Sequence, residues 1–96
     1  MSIERLDDDT IEARLSDLHD WQRKGDTIER TLRFDNFLDA ISFINRIADL
    51  AEEMDHHPEI FNVYDTVKLT LTTHDADGLT DKDFVLAKGI DGEVLG

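Results

Sequence analysis

The chain has no cysteine and a single proline, Pro58, in 96 residues. The first absence excludes disulfides, thiolate nucleophiles and cysteine zinc sites, and it fits a cytoplasmic protein. The second leaves one position where proline must stop a helix. There is no run of about 18 apolar residues, so no membrane-spanning helix is expected. Met1-Ser2-Ile3-Glu4-Arg5-Leu6-Asp7 has neither a basic start nor an apolar centre, so no secretory signal is expected. Positive charge is scarce: ten Lys and Arg stand against 23 Asp and Glu, a net charge of −13. Such a surface repels nucleic-acid phosphates and anionic membranes, and neither is an expected partner. The acids are mostly Asp, and Lys24, Lys68, Lys82 and Lys88 are the only lysines. That balance fits either a well-solvated surface or a salty surrounding in which screening relieves self-repulsion.

What is present is enough for one small core, so a single domain over residues 1–96 is expected. Asp7-Asp8-Asp9-Thr10 is an acidic, capping start for a helix over about residues 8–18, with Ile11, Leu15 and Leu18 at helical spacing. Trp21 reads as a core anchor, and Trp21-Gln22-Arg23 as a short strand. After a turn at Lys24-Gly25-Asp26, residues 27–34 alternate as a strand with Ile28, Leu32 and Phe34 on one face. Arg30 interrupts that face and needs a carboxylate or an exit to water.

Asp35-Asn36 starts the longest helix, running to about Met54. Its apolar arc (Phe37, Ala40, Ile41, Phe43, Ile44, Ile47, Ala48, Leu50, Ala51, Met54) covers about half the wheel. This is wider than one sheet face requires and points to contact with a second copy of the chain. Pro58 places the helix end near Asp55 or His56. Residues 61–64 read as a strand, Asp65-Thr66 as a tight turn, and Val67, Leu69 and Leu71 as the buried side of another strand. Continued alternation puts His74 on the polar face with Thr70 and Thr72. Residues 75–78 read as a loop. Thr80 caps a last helix with Asp83 as its N3 acid, and Phe84, Leu86, Ala87 and Ile90 form its apolar side. Gly89, Gly92 and Gly96 suggest an early end or a frayed tail. The order α-β-β-α-β-β-α with short connections predicts an α+β fold, a four-stranded antiparallel sheet with three helices on one face.

Three of the four histidines gather after the long helix: His56 and His57 together, and His74 beyond the next two strands. Imidazole is the side chain best suited to proton transfer near neutral pH. Such a set can take a proton from one atom and deliver one to a leaving hydroxyl, each step lowering a barrier by roughly 3–5 kcal/mol. Neighbours in an extended segment point to opposite sides, so His56 and His57 need a bend to converge, which the Pro58 junction can supply. No serine lies near the pair and no Gly-rich phosphate loop is present, which leaves cofactor-free acid–base chemistry such as loss of water. Two other readings stay open on these residues alone. Glu52 and His56, four apart, have the spacing of two metal ligands on one helix side, though no HExxH pattern is present. The histidines can also simply end a helix in solvent. His19 is expected to be exposed and idle.

Glu52, then His56-His57-Pro58, then Tyr64, His74 and Asp83, with the text Phe61-Asn62-Val63-Tyr64, Leu71-Thr72-Thr73-His74 and Gly78-Leu79-Thr80, resembles the signature of the pterin-4a-carbinolamine dehydratases. The resemblance covers about residues 10–90. It implies an α+β domain of four antiparallel strands and three helices that dehydrates 4a-hydroxytetrahydropterin to quinonoid dihydropterin without metal or cofactor. It implies that His56, His57 and His74 are the acid–base and binding histidines. Pro58, Thr73, Asp75 and Ala76 would line the pterin site, with Glu52, Asp55 and Asp83 as supporting carboxylates. It also implies a homodimer or homotetramer. Some relatives of this kind are non-catalytic assembly or dimerisation cofactors. One departure is Ile60, where the family often carries Trp.

Overall fold

The computed structural model describes residues 4–95. Met1–Ile3 of the stretch read for a signal, and Gly96 of the expected tail, lie outside them. Helix α1 (Asp8–Leu15) is capped by Asp7, whose carboxylate accepts the Thr10 N–H at 2.8 Å. It stops short of residue 18, because Ser16 to Leu18 turn back on the last helical carbonyls. A hairpin follows, β1 (Gln22–Lys24) and β2 (Thr27–Arg33), turning at Gly25 with φ 61°. Helix α2 (Phe37–Met54) starts at an Asn36 cap. Strands β3 (Glu59–Val63) and β4 (Thr66–Leu71), a single 3₁₀ turn (His74–Ala76) and α3 (Asp81–Leu95) complete the chain.

The four strands form one antiparallel sheet in the order β1-β2-β4-β3. Ile28, Arg30 and Leu32 pair with Leu71, Leu69 and Val67, so these six side chains share one face. The helices cover that face with Ile11 of α1, Ala40, Phe43 and Ile47 of α2, and Phe84, Leu86, Ala87 and Ile90 of α3, all buried. This is the expected α+β arrangement. The opposite face carries Thr27, Glu29, Thr31, Lys68 and Thr70 and stays open to solvent. No helix among the described residues is long and apolar enough to cross a membrane.

Three local expectations need correction. Strand β3 starts at Glu59, two residues earlier than its apolar run. It lies at the sheet edge with most side chains exposed, so alternation could not mark its start. The β3–β4 turn is Tyr64-Asp65, with Tyr64 in the left-handed region at φ 51° and Thr66 already in β4. Helix α3 does not end at its glycines. Gly89 meets α2, and a Cβ there would stand 2.7 Å from Leu50 Cδ2. The missing side chain lets the two helices approach.

Asp91 also holds the end of α3 in place. Arg30 Nη1 donates to its Oδ1 at 2.5 Å, Trp21 Nε1 donates to the same oxygen at 2.7 Å, and the His19 N–H donates to Oδ2 at 3.1 Å. The partner that Arg30 required is therefore on the tail expected to fray. Trp21 is a core residue as expected, His19 is exposed, and both are tied to this carboxylate. On α2, the outer flank of the wide apolar arc remains uncovered: Phe37 is exposed and Ile41 and Ile44 are half-buried.

Candidate active site

The site begins where α2 ends. Asp55 takes a left-handed conformation, φ 51° and ψ 43°. Its N–H bonds to the Glu52 carbonyl and that of His56 to the Ala51 carbonyl, at 3.2 and 3.1 Å. This is a Schellman turn, usually made with glycine. It, rather than Pro58, stops the helix, three residues before the proline. It also folds His56 back under α2, while His57 leaves toward β3. The bend that the two histidines required comes from Asp55.

His56 is buried. Its Nε2 lies 2.6 Å from Oδ1 of Asp83, which is fully buried. Asp83 occupies the third position of α3, and its Oδ2 accepts the Thr80 N–H at 3.0 Å, while the Thr80 hydroxyl accepts the Lys82 N–H. This is the capping pair read from the sequence. The same Oδ2 accepts the Thr73 hydroxyl at 2.8 Å. His57 is more than half exposed, and its Nε2 sits 2.6 Å from Glu52 Oε1. His74, exposed, opens the 3₁₀ turn that follows β4. The ends of that loop are clamped by reciprocal backbone bonds between Thr73 and Gly78.

These elements enclose a cleft of about 310 Å³ lined by Asp55, His56, His57, Thr72, Thr73, His74, Asp75 and Lys82. Its volume suits one small bicyclic molecule. All three expected histidines reach it, with Asp55, Thr73 and Asp75. Glu52 stands behind His57, and Asp83 lies beneath His56, too buried to touch a ligand. Pro58 and Ala76 are not in the lining, and Tyr64 lies at the far end of β3. Glu52 and His56 do not share a side, as a metal pair would require, because the helix ends between them. Among the described residues, no group of three or more His, Asp or Glu is arranged to hold a metal ion. Sequence reasoning missed Lys82 and Thr72. Lys82 follows the Thr80 cap by two, and that position on the first turn of α3 was the available signal.

A family model described as pterin 4 alpha carbinolamine dehydratase matches residues 4–92. A protein of Thermomicrobium roseum is 50% identical over 84 residues, covering 88% of this chain and 90% of its own length. One from Burkholderia orbicola is 50% identical over 92 residues, covering 94% and 90%. Both carry the provisional name pterin-4-alpha-carbinolamine dehydratase. A crystal structure of a transcriptional coactivator/pterin dehydratase from Brucella melitensis superposes with a TM-score of 0.91 at 35% identity, covering 94% of this chain and 98% of that one. A pterin dehydratase-like protein identified as a RuBisCO assembly factor in the α-carboxysome superposes at 0.65 with 24% identity, covering 78% and 89%. At that identity the likeness is one of fold alone.

Proposed function

The chain belongs to the pterin 4 alpha carbinolamine dehydratase family, and from that premise we propose that it dehydrates a 4a-hydroxytetrahydropterin to the quinonoid dihydropterin. The reaction is a cytoplasmic step that recycles a tetrahydrobiopterin-type cofactor. The observation that carries this reading is three imidazoles on one small cleft, two of them paired with carboxylates. Hydroxide leaves poorly from carbon, so an imidazolium donates a proton to the departing oxygen as the C–O bond breaks. A ring nitrogen supplies the electron pair for the new double bond, and its N–H proton passes to a neutral imidazole or to water. Atoms balance as dihydropterin plus water, and no electrons leave the substrate.

The roles divide by position. His56, His57 and His74 exchange protons and bind. Asp55, Asp75, Thr73 and Lys82 border the ligand, while Glu52 and Asp83 hold their histidines. The experiment is direct assay of carbinolamine dehydration with His56→Ala and His74→Ala. Each is expected to lose about 10²–10⁴-fold in rate with the fold intact. Full activity in both would overturn the assignment.

A second reading is a non-catalytic assembly or dimerisation role. The uncovered flank of α2 and the exposed Phe61 and Val63 of edge strand β3 favour contact with another chain. We assign these surfaces first to a second copy of this chain, as a homodimer or homotetramer, which is compatible with catalysis. Binding of another protein that persists when all three histidines are replaced would favour the second reading.

A further inference from the structure

We propose that Asp83 is a positioning residue. Through a one-way chain of hydroxyls it fixes the proton of neutral His56 on Nε2 and leaves Nδ1 as the nitrogen that faces the cleft. The proposal rests on the dehydratase reading for its use of His56, but the ring's tautomer follows from hydrogen-bond counting alone.

Oδ2 of Asp83 accepts the Thr80 N–H and the Thr73 hydroxyl, at 3.0 and 2.8 Å. A hydroxyl has one proton to give. With Thr73 donating to Asp83, the 2.8 Å contact between Thr73 Oγ1 and Thr80 Oγ1 runs from Thr80 to Thr73. Thr80 Oγ1 in turn accepts the Lys82 N–H at 3.3 Å. Every bond therefore points toward Asp83, which acts as an acceptor throughout. Its other oxygen, Oδ1, then accepts from His56 Nε2 at 2.6 Å, so the ring proton sits there. The opposite tautomer would set a ring lone pair against a carboxylate in a site with no water access, since Asp83 is 0% exposed.

His56 Nδ1 has no partner among the described residues. The only buried side-chain nitrogen or oxygen there without one is Arg30 Nε. Nδ1 is thus not sealed from solvent although His56 is buried, and His56 lines the cleft. His57 has no such control: its carboxylate partner Glu52 is 77% exposed and free to turn. The two adjacent histidines differ in that one is locked and the other is loose. The lock is built from the first turn of α3, so a helix cap and a catalytic tautomer share one carboxylate.

The test is two-bond ¹H–¹⁵N correlation NMR on the histidine rings of the ligand-free protein, at a pH where His56 is neutral. Wild type is expected to show His56 protonated on Nε2. In Asp83→Asn the amide oxygen keeps the Thr73 and Thr80 bonds and its NH₂ faces the ring, so the proton is expected to move to Nδ1. Dehydration kcat should fall about 10²–10⁴-fold with KM changed by less than about threefold. Thr73→Ser keeps the chain and should keep the wild-type pattern; Thr73→Val should weaken it. A wild-type proton on Nδ1, read without any variant, overturns the proposal, as does a folded Asp83→Asn with an unchanged tautomer. A tautomer that moves while dehydration continues at full rate would leave the lock standing and overturn the catalytic role of His56.

Discussion

Arg30 Nη1 and Asp91 Oδ1 stand 2.5 Å apart, joining the centre of the sheet to the last turns of α3. Both side chains are more than nine-tenths buried. Removing Asp91 leaves the Arg30 guanidinium only the exposed Asp20 carboxylate, at 3.9 Å, and removing Arg30 leaves the buried Asp91 without its cation. Asp91→Ala is expected to cost about 3–5 kcal/mol in urea denaturation, and also frees Trp21 Nε1. Replacing Arg30 and Asp91 together with Met and Leu should recover part of that loss. An Asp91→Ala protein as stable as wild type would show that the pair does not hold the helix end.

The two inner glycines of α3 should respond differently. Nothing lies within 4 Å of a Cβ built on Gly92. Gly92→Ala should stabilise by about 0.5–1 kcal/mol through helix propensity. At Gly89 the new methyl meets Leu50 at 2.7 Å, and Leu50 must leave its rotamer at about 0.5–1.5 kcal/mol. Gly89→Ala should therefore gain nothing or lose. Thermal melts of the two variants check this; equal gains would mean that the helix contact is loose.

The Asp7 cap gives a pH dependence of known sign. Bonds from the Thr10 hydroxyl and the Thr10 backbone N–H hold the Asp7 carboxyl below its ordinary 3.8. A group lowered on folding contributes stability above its unfolded pKa and loses it as pH falls through the folded one. Asp7→Ala should thus melt lower than wild type near neutral pH. The two should converge once the pH drops below the range of the folded carboxyl. A gap that persists in acid would assign the effect to something other than the ionised cap.

Self-association can be tested at the sheet edge. Phe61 is 59% exposed on β3, whose outer backbone edge has no partner strand among the described residues. Light scattering on the purified protein should give a dimer or tetramer. Phe61→Lys should shift it toward the monomer, by charge on an edge strand. Glu substitution at both Ile41 and Ile44 tests the α2 flank separately. An assembly unmoved by either change would place the contact elsewhere.

The order of elements was legible because helical and strand periods are strong in this chain. The arc of α2, the alternation of β4 and the Thr80–Asp83 cap all read correctly. Where local pattern failed, a distant residue had decided. The end of α3 looked weak because Gly89 and Gly92 are poor helix formers, but Leu50 and Arg30, from other elements, keep it helical. The strand β3 was clipped because an edge strand exposed on both faces has no alternation to show.

For the site, the sequence by itself determined which residue types were available: three imidazoles, a ring of carboxylates and no thiol. It also placed His56 and His57 just past a helix end, since Pro58 bars the helix from running on through them, although the turn that stops it is at Asp55. Only the tertiary structure decided the pairings. Glu52 met His57 and not His56, since the left-handed Asp55 turned the chain one residue past the helix. Asp83, 27 positions from His56, became its partner because α3 starts against the end of β4. Spacing along a chain fixes neighbours within an element, but which side chain faces which across two elements is set by how their cores pack.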